Sequence, residues 1–422
     1  MRLAAGLALF ALAAMAALPF SISAARAEPP EDDRAKAVAG TSRFTLDLYQ
    51  AIRERDGNVF CSPLNIAAAL EMAAVGARGE TADQIHRTLG LDPLGERAPD
   101  AVGALLDSLR TFSEPPAPAE RPANGADDDR QAAGLWTVNA LWIDEREQPL
   151  GDFTAALERS FQAKPHVVDF AHSSETARAT INRWVEDQTR DRIKNLLGPD
   201  LIGPDTAVVL TSAIYFKGFW VHPFAKEQTR DDQFHPTKNA AVPVKMMNQT
   251  ATLPYFENDS FQAVSLPYKG GALSMLVLLP KAPDGLADLE ASLTVETLAA
   301  ATSKMRRRRV KLSLPRFAST VEFNLGDVLS DLGMPLAFQA GRADFSGITG
   351  SPDFSISAVV HKAFIEVEEK GTEAAAATGV VMTRSALIPG DEVVFRADRP
   401  FLHLIRDSKT GAILFIGRLS QP

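Results

Sequence analysis

The sequence predicts an α+β fold with large, mostly antiparallel sheets. Helical periodicity concentrates in the first half of the 422 residues, whereas runs rich in valine, isoleucine, leucine and phenylalanine concentrate in the second half. The hydrophobic share of 45% is ample for a large core, and neither an internal repeat nor a long linker divides the chain. We therefore expect a single large mixed domain over residues 28–422.

Helical patterns come first along the chain. Ser62 and Pro63 provide a side-chain cap and an early proline, both typical of a helix N-terminus, and Gly76 and Gly79 follow where that helix should end. The Gly198-Pro199 pair indicates the end of the longest predicted helix, Ser174–Leu197. The predicted helices span Leu64–Val75, Thr81–Leu89, Asp100–Phe112, Phe153–Phe161 and Ser174–Leu197.

Strand patterns dominate the rest of the chain. The predicted strands span Leu135–Ile143, Val208–Tyr215, Phe261–Leu266, Ala272–Leu279, Val310–Leu314, Val359–Glu368, Phe401–Arg406 and Ala412–Leu419. The basic run Arg306–Arg309 precedes one of them, with Lys304 and Lys311 nearby. We interpret this run as a solvated face just before the strand, and a site for an anionic cofactor is the alternative.

The N-terminus has the pattern of a signal peptide over residues 1–27. Arg2 supplies a positive start, Leu3–Leu18 is a short apolar run, and Ala25-Arg26-Ala27 forms a cleavage signal of the A-x-A type. An uncleaved membrane anchor is the alternative. The signal and the Ala- and Arg-rich composition predict a secreted or periplasmic bacterial protein, and its single cysteine, Cys61, excludes an internal disulfide.

Residues 113–134 interrupt the helical and strand patterns. The segment contains four prolines, two glycines and three consecutive aspartates, Asp127–Asp129. We interpret it as a solvent-exposed insertion, which is either a spacer or an interaction loop; the absence of an apolar anchor favours a spacer.

The composition argues against several classes of function. A net charge of −9 disfavours nucleic acid and anionic membranes as partners. The seven histidines lack H-E-x-x-H spacing, and one cysteine excludes a cysteine-based zinc cluster. The chain also lacks a phosphate loop, a dinucleotide fingerprint and a G-x-S-x-G elbow. We therefore expect neither an enzyme nor a bound metal or cofactor.

The segment Glu369–Thr378 has an unusual pattern. Read with period 2, Thr372, Ala374, Ala376 and Thr378 share one face with Val380 and Met382, so that face is small or apolar throughout. Such a segment can be exposed as a loop and later become a strand without burying a charge. The alternative is a surface helix turn, because Glu373-Ala374-Ala375-Ala376-Ala377 has high helix propensity.

This segment resembles the reactive-centre hinge and loop of the serpins. The hinge comprises Glu369, Lys370, Gly371, Thr372, Glu373, Ala374, Ala375, Ala376, Ala377 and Thr378. Other segments resemble serpins in the family's order, namely Asn58–Ala67, Thr211–Trp220, Val244–Met247 and Phe395–Phe401. The resemblance covers about residue 40 to the end, and it implies three large sheets and an exposed reactive-centre loop at about residues 371–394.

The resemblance also implies two structural clusters. The first, called the shutter, comprises Ser62, Asn65, Ser212 and His361, and it would hold the central sheet closed; for His361 the alternative is an ordinary core histidine. Asn65 and Ser212 exchange the serine and asparagine that the family often has at these two places. The second, called the breach, comprises Trp220 and Arg316, with Arg316 paired to Glu369 where loop insertion would begin. A solvated, unpaired Arg316 is the alternative.

The function implied is that of a suicide-substrate inhibitor of serine proteases. Arg384 lies 13 residues after Gly371 and Ser385 lies 14 after it, and family members usually cut after the longer count. Chemistry favours the Arg384–Ser385 bond, because arginine pairs with the aspartate in a trypsin-like pocket. The resemblance thus implies a trypsin-like target protease and a monomeric inhibitor. The alternative is a non-inhibitory serpin that acts as a binding or folding-assistance protein.

Overall fold

The computed structural model describes residues 29–110, 134–352, 354–372 and 392–422. The predicted signal peptide and residues 113–133 of the predicted insertion therefore lie outside the described residues, whereas Gly134 already belongs to a strand. In the described part, helices form most of the first 190 residues and strands about half of the remainder. None of the described helices combines the length and apolar character that crossing a bilayer requires.

The described α-helices, numbered in chain order, are α1 Glu31–Ile52, α2 Pro63–Ala74, α3 Gly79–Leu89, α4 Ala98–Arg110, α5 Gly151–Phe161, α6 Phe170–Gln188, α7 Leu286–Ser292, α8 Val295–Ser303, α9 Gly326–Asp331 and α10 Ser346–Thr349. The described strands are β1 Val59–Cys61, β2 Gly134–Asp144, β3 His166–Val168, β4 Val208–Phe219, β5 Arg230–Thr237, β6 Ala240–Glu257, β7 Phe261–Pro267, β8 Leu273–Pro280, β9 Arg306–Pro315, β10 Phe317–Asn324, β11 Ile356–Glu368, β12 Gly371–Thr372, β13 Glu392–Arg396, β14 Phe401–Asp407 and β15 Ile413–Leu419.

The strands hydrogen-bond into two sheets. The central sheet has six strands in the order β10-β11-β12-β4-β2-β3, and β11 also pairs directly with β4. The second sheet has nine strands, ordered β1-β15-β14-β8-β7-β6-β9-β13 with β5 added on β6. Most neighbours are antiparallel, as predicted. The resemblance implied three sheets. In the structure the 18-residue strand β6 pairs in turn with β5, β9 and β7, so two of the three expected sheets are joined into the nine-stranded sheet.

The core lies mainly between the two sheets and under the early helices. α2 is buried along its whole length and contacts both sheets, through β4 and β2 on one side and β15 on the other. A smaller apolar cluster on the opposite face of the central sheet holds α6 against β2, β4 and β11. The two faces of the central sheet are thus covered by different helices.

Several predicted elements have different bounds in the structure, α6 and β9 among them. α6 includes a first turn from Phe170, where Asp169 accepts a hydrogen bond from the His172 amide, but Ser173 has non-helical backbone angles, so the regular helix starts at Ser174 as predicted. It ends at Gln188 rather than Leu197, because Arg190, Asp191 and Asn195 adopt left-handed backbone angles that no α-helix allows. The basic run Arg306–Arg309 was predicted to lie just before the strand. In the structure it forms the first four residues of β9.

The predicted exposed loop also has different bounds. Gly371 and Thr372 are buried and form strand β12, and Glu392 already belongs to β13. Between these strands, residues 373–391 lie outside the described part of the chain.

Candidate functional site

The central feature of the candidate site is a parallel pair of strands that separate at one end. β4 and β11 pair directly from Val208 and Ile356 up to Tyr215 and Phe364. Beyond that point, β12 lies between them: Thr372 is opposite both Val367 and Gly218, and Gly371 is opposite both Glu368 and Phe219. The first two residues of the sequence-predicted loop are therefore already a short strand in the centre of the sheet.

Where the two strands pair directly, the shutter residues form one hydrogen-bonded network. The Ser62 amide donates to His361 Nε2 at 3.0 Å, and His361 Nδ1 lies 3.0 Å from Ser212 Oγ. Because Nε2 accepts a hydrogen bond, the proton of the neutral imidazole is on Nδ1 and points to Ser212. Burial lowers the pKa of His361 to about 3, so the imidazole stays neutral. The network thus connects β11, β4 and the start of α2.

Asn65 connects a third strand to this network. Its Nδ2 donates to Ser212 Oγ at 2.9 Å and to the Ala213 carbonyl at 3.2 Å, and its Oδ1 accepts from Asn139 Nδ2 of β2 at 3.0 Å. Asn65 and Ser212, which exchange the serine and asparagine that serpins often have at these two places, therefore do contact each other. Asn139 was not identified from the sequence, although it is the one amide in the otherwise largely apolar β2.

The geometry of Ser62 explains how α2 is held beneath the sheets. Its Oγ accepts the Asn65 amide as the helix cap and donates to the Leu414 carbonyl of β15 at 2.6 Å. Pro63 follows at the first helical position, where a missing amide hydrogen has no cost. The start of α2 is thereby bonded to both sheets.

At the breach, an aromatic pair lines the space in which β12 lies. The indole of Trp220 stacks on Tyr268 with ring centroids 4.5 Å apart, and its Nε1 donates to the Glu368 carbonyl at 3.0 Å. The Tyr268 hydroxyl lies 2.7 Å from Thr372 Oγ1. Tyr268 and Thr372 are both fully buried, so this hydrogen bond has no solvent competitor. Tyr268 was not identified from the sequence.

The charged residues of the breach differ in detail from the expectation. Arg316 Nη2 donates to Glu368 Oε1 at 2.7 Å, whereas the expected partner Glu369 is 3.7 Å from Arg316 Nε. Glu369 is buried, and its Oε1 accepts a hydrogen bond from Thr229 Oγ1 at 2.8 Å. Arg316 therefore bridges two consecutive carboxylates, with the shorter contact to Glu368.

Backbone contacts around β12 leave no space for a side chain at Gly371. A Cβ atom added there would lie 1.9 Å from the Gly218 carbonyl oxygen, far inside van der Waals contact. The amides of Trp220 and Phe224 donate to the carbonyls of Lys370 and Glu369, at 2.9 and 2.7 Å. These bonds hold the chain immediately before β12 at a fixed position.

The remaining sequence-predicted site residues lie outside the described part of the chain. They are Glu373, Ala374, Ala375, Ala376, Ala377 and Thr378 of the hinge, and Arg384 and Ser385 of the reactive bond.

Comparison with known proteins identifies the family. Residues 39–422 match the family model described as "Serpin (serine protease inhibitor)". Serpin B4 of Homo sapiens is 40% identical over 90% of this chain and 98% of its own length. Leukocyte elastase inhibitor of Homo sapiens is 37% identical over 91% of this chain and 99% of its own. A crystal structure of maspin aligns with a TM-score of 0.82 at 27% identity, covering 93% of this chain and all of maspin. The chain therefore belongs to the serpin family.

Proposed function

We propose that this serpin is an exported suicide-substrate inhibitor of trypsin-like serine proteases. The observation that carries the proposal is the position of β12 between β4 and β11. Because β12 pairs with both neighbours, the chain that follows it can continue down the same gap as a further strand of the central sheet. Relatives such as leukocyte elastase inhibitor are named as protease inhibitors.

The register of β12 predicts what full insertion would do at the shutter. Thr372 is opposite Val367 of β11 and Gly218 of β4, and it is antiparallel to both strands. Thr378 lies six residues after Thr372, so in an inserted strand its partners would lie six residues earlier in each neighbour, at His361 and Ser212. An inserted strand would therefore separate His361 from Ser212 and bring Thr378 between them. The Thr378 hydroxyl can both donate and accept, so it would replace the hydrogen bond that insertion breaks.

The length of the segment fits the sheet. Thr372–Arg384 has 13 residues, as many as β11, and extends about 40 Å at ~3.3 Å per residue. Its inward positions, Thr372 to Met382 at every second residue, are uncharged, so insertion buries no unpaired charge. The Arg384 carbonyl would reach the far end of the sheet.

The chemistry of trapping belongs to the protease. Its serine Oγ attacks the Arg384 carbonyl carbon, the bond to the Ser385 nitrogen breaks, and the protease histidine gives that nitrogen a proton. The protease is then an ester of Arg384. If insertion is faster than attack by water on this ester, the protease is carried to the far end of the sheet and its active site is distorted; otherwise the loop is only cut.

We further propose that residues 1–27 direct export and are removed, and that the mature chain acts as a monomer. The positive start, the short apolar run and Ala25-Arg26-Ala27 support this proposal.

Incubation with trypsin tests the inhibitory function. We expect an adduct of protease and inhibitor that survives boiling in detergent. In Arg384→Ala the charge-paired anchor is lost, so adduct formation with trypsin should fall by at least 100-fold. Cleavage without an adduct in the wild type would instead support the non-inhibitory alternative, and an adduct undiminished in Arg384→Ala would contradict the assignment of the reactive bond.

A further inference from the structure

The outer face of β9 carries a stripe of positive charge that the inhibitory cycle does not use. Arg307, Arg309 and Lys311 are exposed, whereas Arg308 is half-buried and Val310 and Leu312 are fully buried, so the three exposed cations share the solvent side of the sheet. Successive members are about 6.6 Å apart along the strand. In a chain with a net charge of −9, this basic stripe is a local exception.

The protein itself neutralises little of this charge. Among the described residues, Arg309 pairs with Glu392 at 2.8 Å, and Arg307 donates only to the Thr252 carbonyl at 3.1 Å. The Lys311 ammonium makes neither an ion pair nor a hydrogen bond to any described residue. Three cations therefore face one carboxylate, and the surplus is available to a partner.

The neighbouring strand adds an apolar contact to the same face. Val394 of β13 is directly opposite Lys311 and is 58% exposed, more than any other large hydrophobic side chain in the described part of the chain. A polyanion gains nothing from an exposed valine. A mixed surface of this kind fits a protein partner with carboxylates around an apolar spot.

The position of the stripe indicates which protein the partner is. Arg309 is opposite Glu392, the first described residue after the reactive bond, and Glu392 comes only seven residues after Ser385. Seven residues span at most about 25 Å. A protease of ~200 residues has a radius of gyration of about 16 Å, so a protease bound at the Arg384–Ser385 bond has its own surface within reach of the stripe.

We propose that Arg307, Arg309 and Lys311, together with Val394, form a second contact site for the target protease, complementary to an acidic patch beside that protease's active site. This inference rests on the proposed inhibitory function. Long-range attraction between the stripe and the acidic patch would raise the rate of encounter without changing the later partition between trapping and turnover.

The test compares two trypsins that share an arginine-specific pocket but carry opposite net charge. The triple variant Arg307→Gln, Arg309→Gln, Lys311→Gln removes the stripe. The matched control, Arg159→Gln, Lys164→Gln, Arg183→Gln, removes three exposed cations on and beside α5 and α6. The second-order rate constant of inhibition, the stoichiometry and the melting temperature are measured for each variant at low and high salt.

At low salt, we expect the stripe variant to inhibit anionic trypsin about tenfold more slowly than wild type, and the control variant to change by less than about twofold. The difference should shrink at high salt, the stoichiometry should stay constant, and cationic trypsin should show no such loss. Equal effects of the two triple variants would overturn the second contact site while leaving inhibition itself intact. Acceleration of both trypsins by a sulfated polysaccharide, lost in the stripe variant, would reassign the stripe to a polyanion. Failure of wild type to form an adduct with either trypsin would overturn both proposals.

Discussion

The hydrogen bond between Thr372 and Tyr268 allows a direct test of insertion as the inhibitory step. Thr372→Val keeps the shape of the side chain but leaves the Tyr268 hydroxyl, which is fully buried, without its 2.7 Å partner whenever β12 is in the sheet. Leaving a buried hydroxyl unpaired costs about 1–3 kcal/mol. In the intact protein β12 is already in the sheet, so Thr372→Val can relieve this cost by withdrawing β12, whereas insertion requires β12 in place. If the intact form relieves the cost in full, insertion slows by roughly 5- to 150-fold.

The assay is the number of moles of inhibitor consumed per mole of trypsin inactivated. This number exceeds one by the ratio of the rate of ester hydrolysis to the rate of insertion. In Thr372→Val the excess over one should therefore rise by up to the factor by which insertion slows. The double variant Thr372→Val, Tyr268→Phe removes both hydroxyls and should restore the excess to near the wild-type value. Thr320→Val, at an exposed position of β10 in the same sheet, is the control for the loss of a hydroxyl from a strand. An unchanged stoichiometry in Thr372→Val, or no rescue by Tyr268→Phe, would refute the argument that Thr372 must be held in the sheet during a rate-setting step.

Two further predictions concern stability. Cutting the Arg384–Ser385 bond should raise the melting temperature by about 10 °C or more, because the inserted segment gains backbone hydrogen bonds on both sides; calorimetry of intact and cut protein decides this, and a cut sample that melts at or below the intact one would contradict it. Burial lowers the pKa of both His361 and His403 to about 3, so the unfolded chain takes up their protons below pH ~6.5 and the native state does not. The free energy of unfolding should therefore fall as pH drops from ~6.5 towards 3, by up to ~1.4 kcal/mol per histidine and pH unit. Because neither ring nitrogen of His403 has a hydrogen-bond partner among the described residues, His403→Leu should reduce this slope by up to half in urea titrations; an unchanged slope would contradict the attribution.

Local signals in the sequence were sufficient for the elements that position the shutter. The Ser62-Pro63 pair predicts the start of α2 within one residue, because a cap and a first-turn proline act on the backbone next to them. By contrast, α1 was not predicted from its pattern. Its buried positions include Thr41, Ser42 and Thr45, and the hydroxyls of Thr41 and Thr45 donate to carbonyls of their own helix. These buried polar residues weaken the apolar periodicity.

Contacts between distant segments could not be read from local pattern. Tyr268, Asn139 and Glu368 become site residues only because the strand register and the packing of α2 bring them within hydrogen-bonding distance of Thr372, Asn65 and Arg316. A shift of a single residue in that register turns each side chain to the other face of its sheet. Residue types thus indicate which groups need partners, whereas the fold determines which partners they find.

The direct pairing of β4 with β11 has a consequence for folding kinetics. Ser212 and His361 are 149 residues apart, whereas Glu368 and Gly371, which pair across the β11–β12 turn, are only three apart. Local pairings close faster than distant ones, so the newly made chain could extend the β11–β12 hairpin through the loop and reach the inserted form directly. The run Glu373–Ala377 opposes this, because alanine favours helix and is a poor strand residue. We therefore expect the composition that would let this segment enter the sheet after cleavage also to delay its pairing during synthesis, which would give the slow, distant contact time to form.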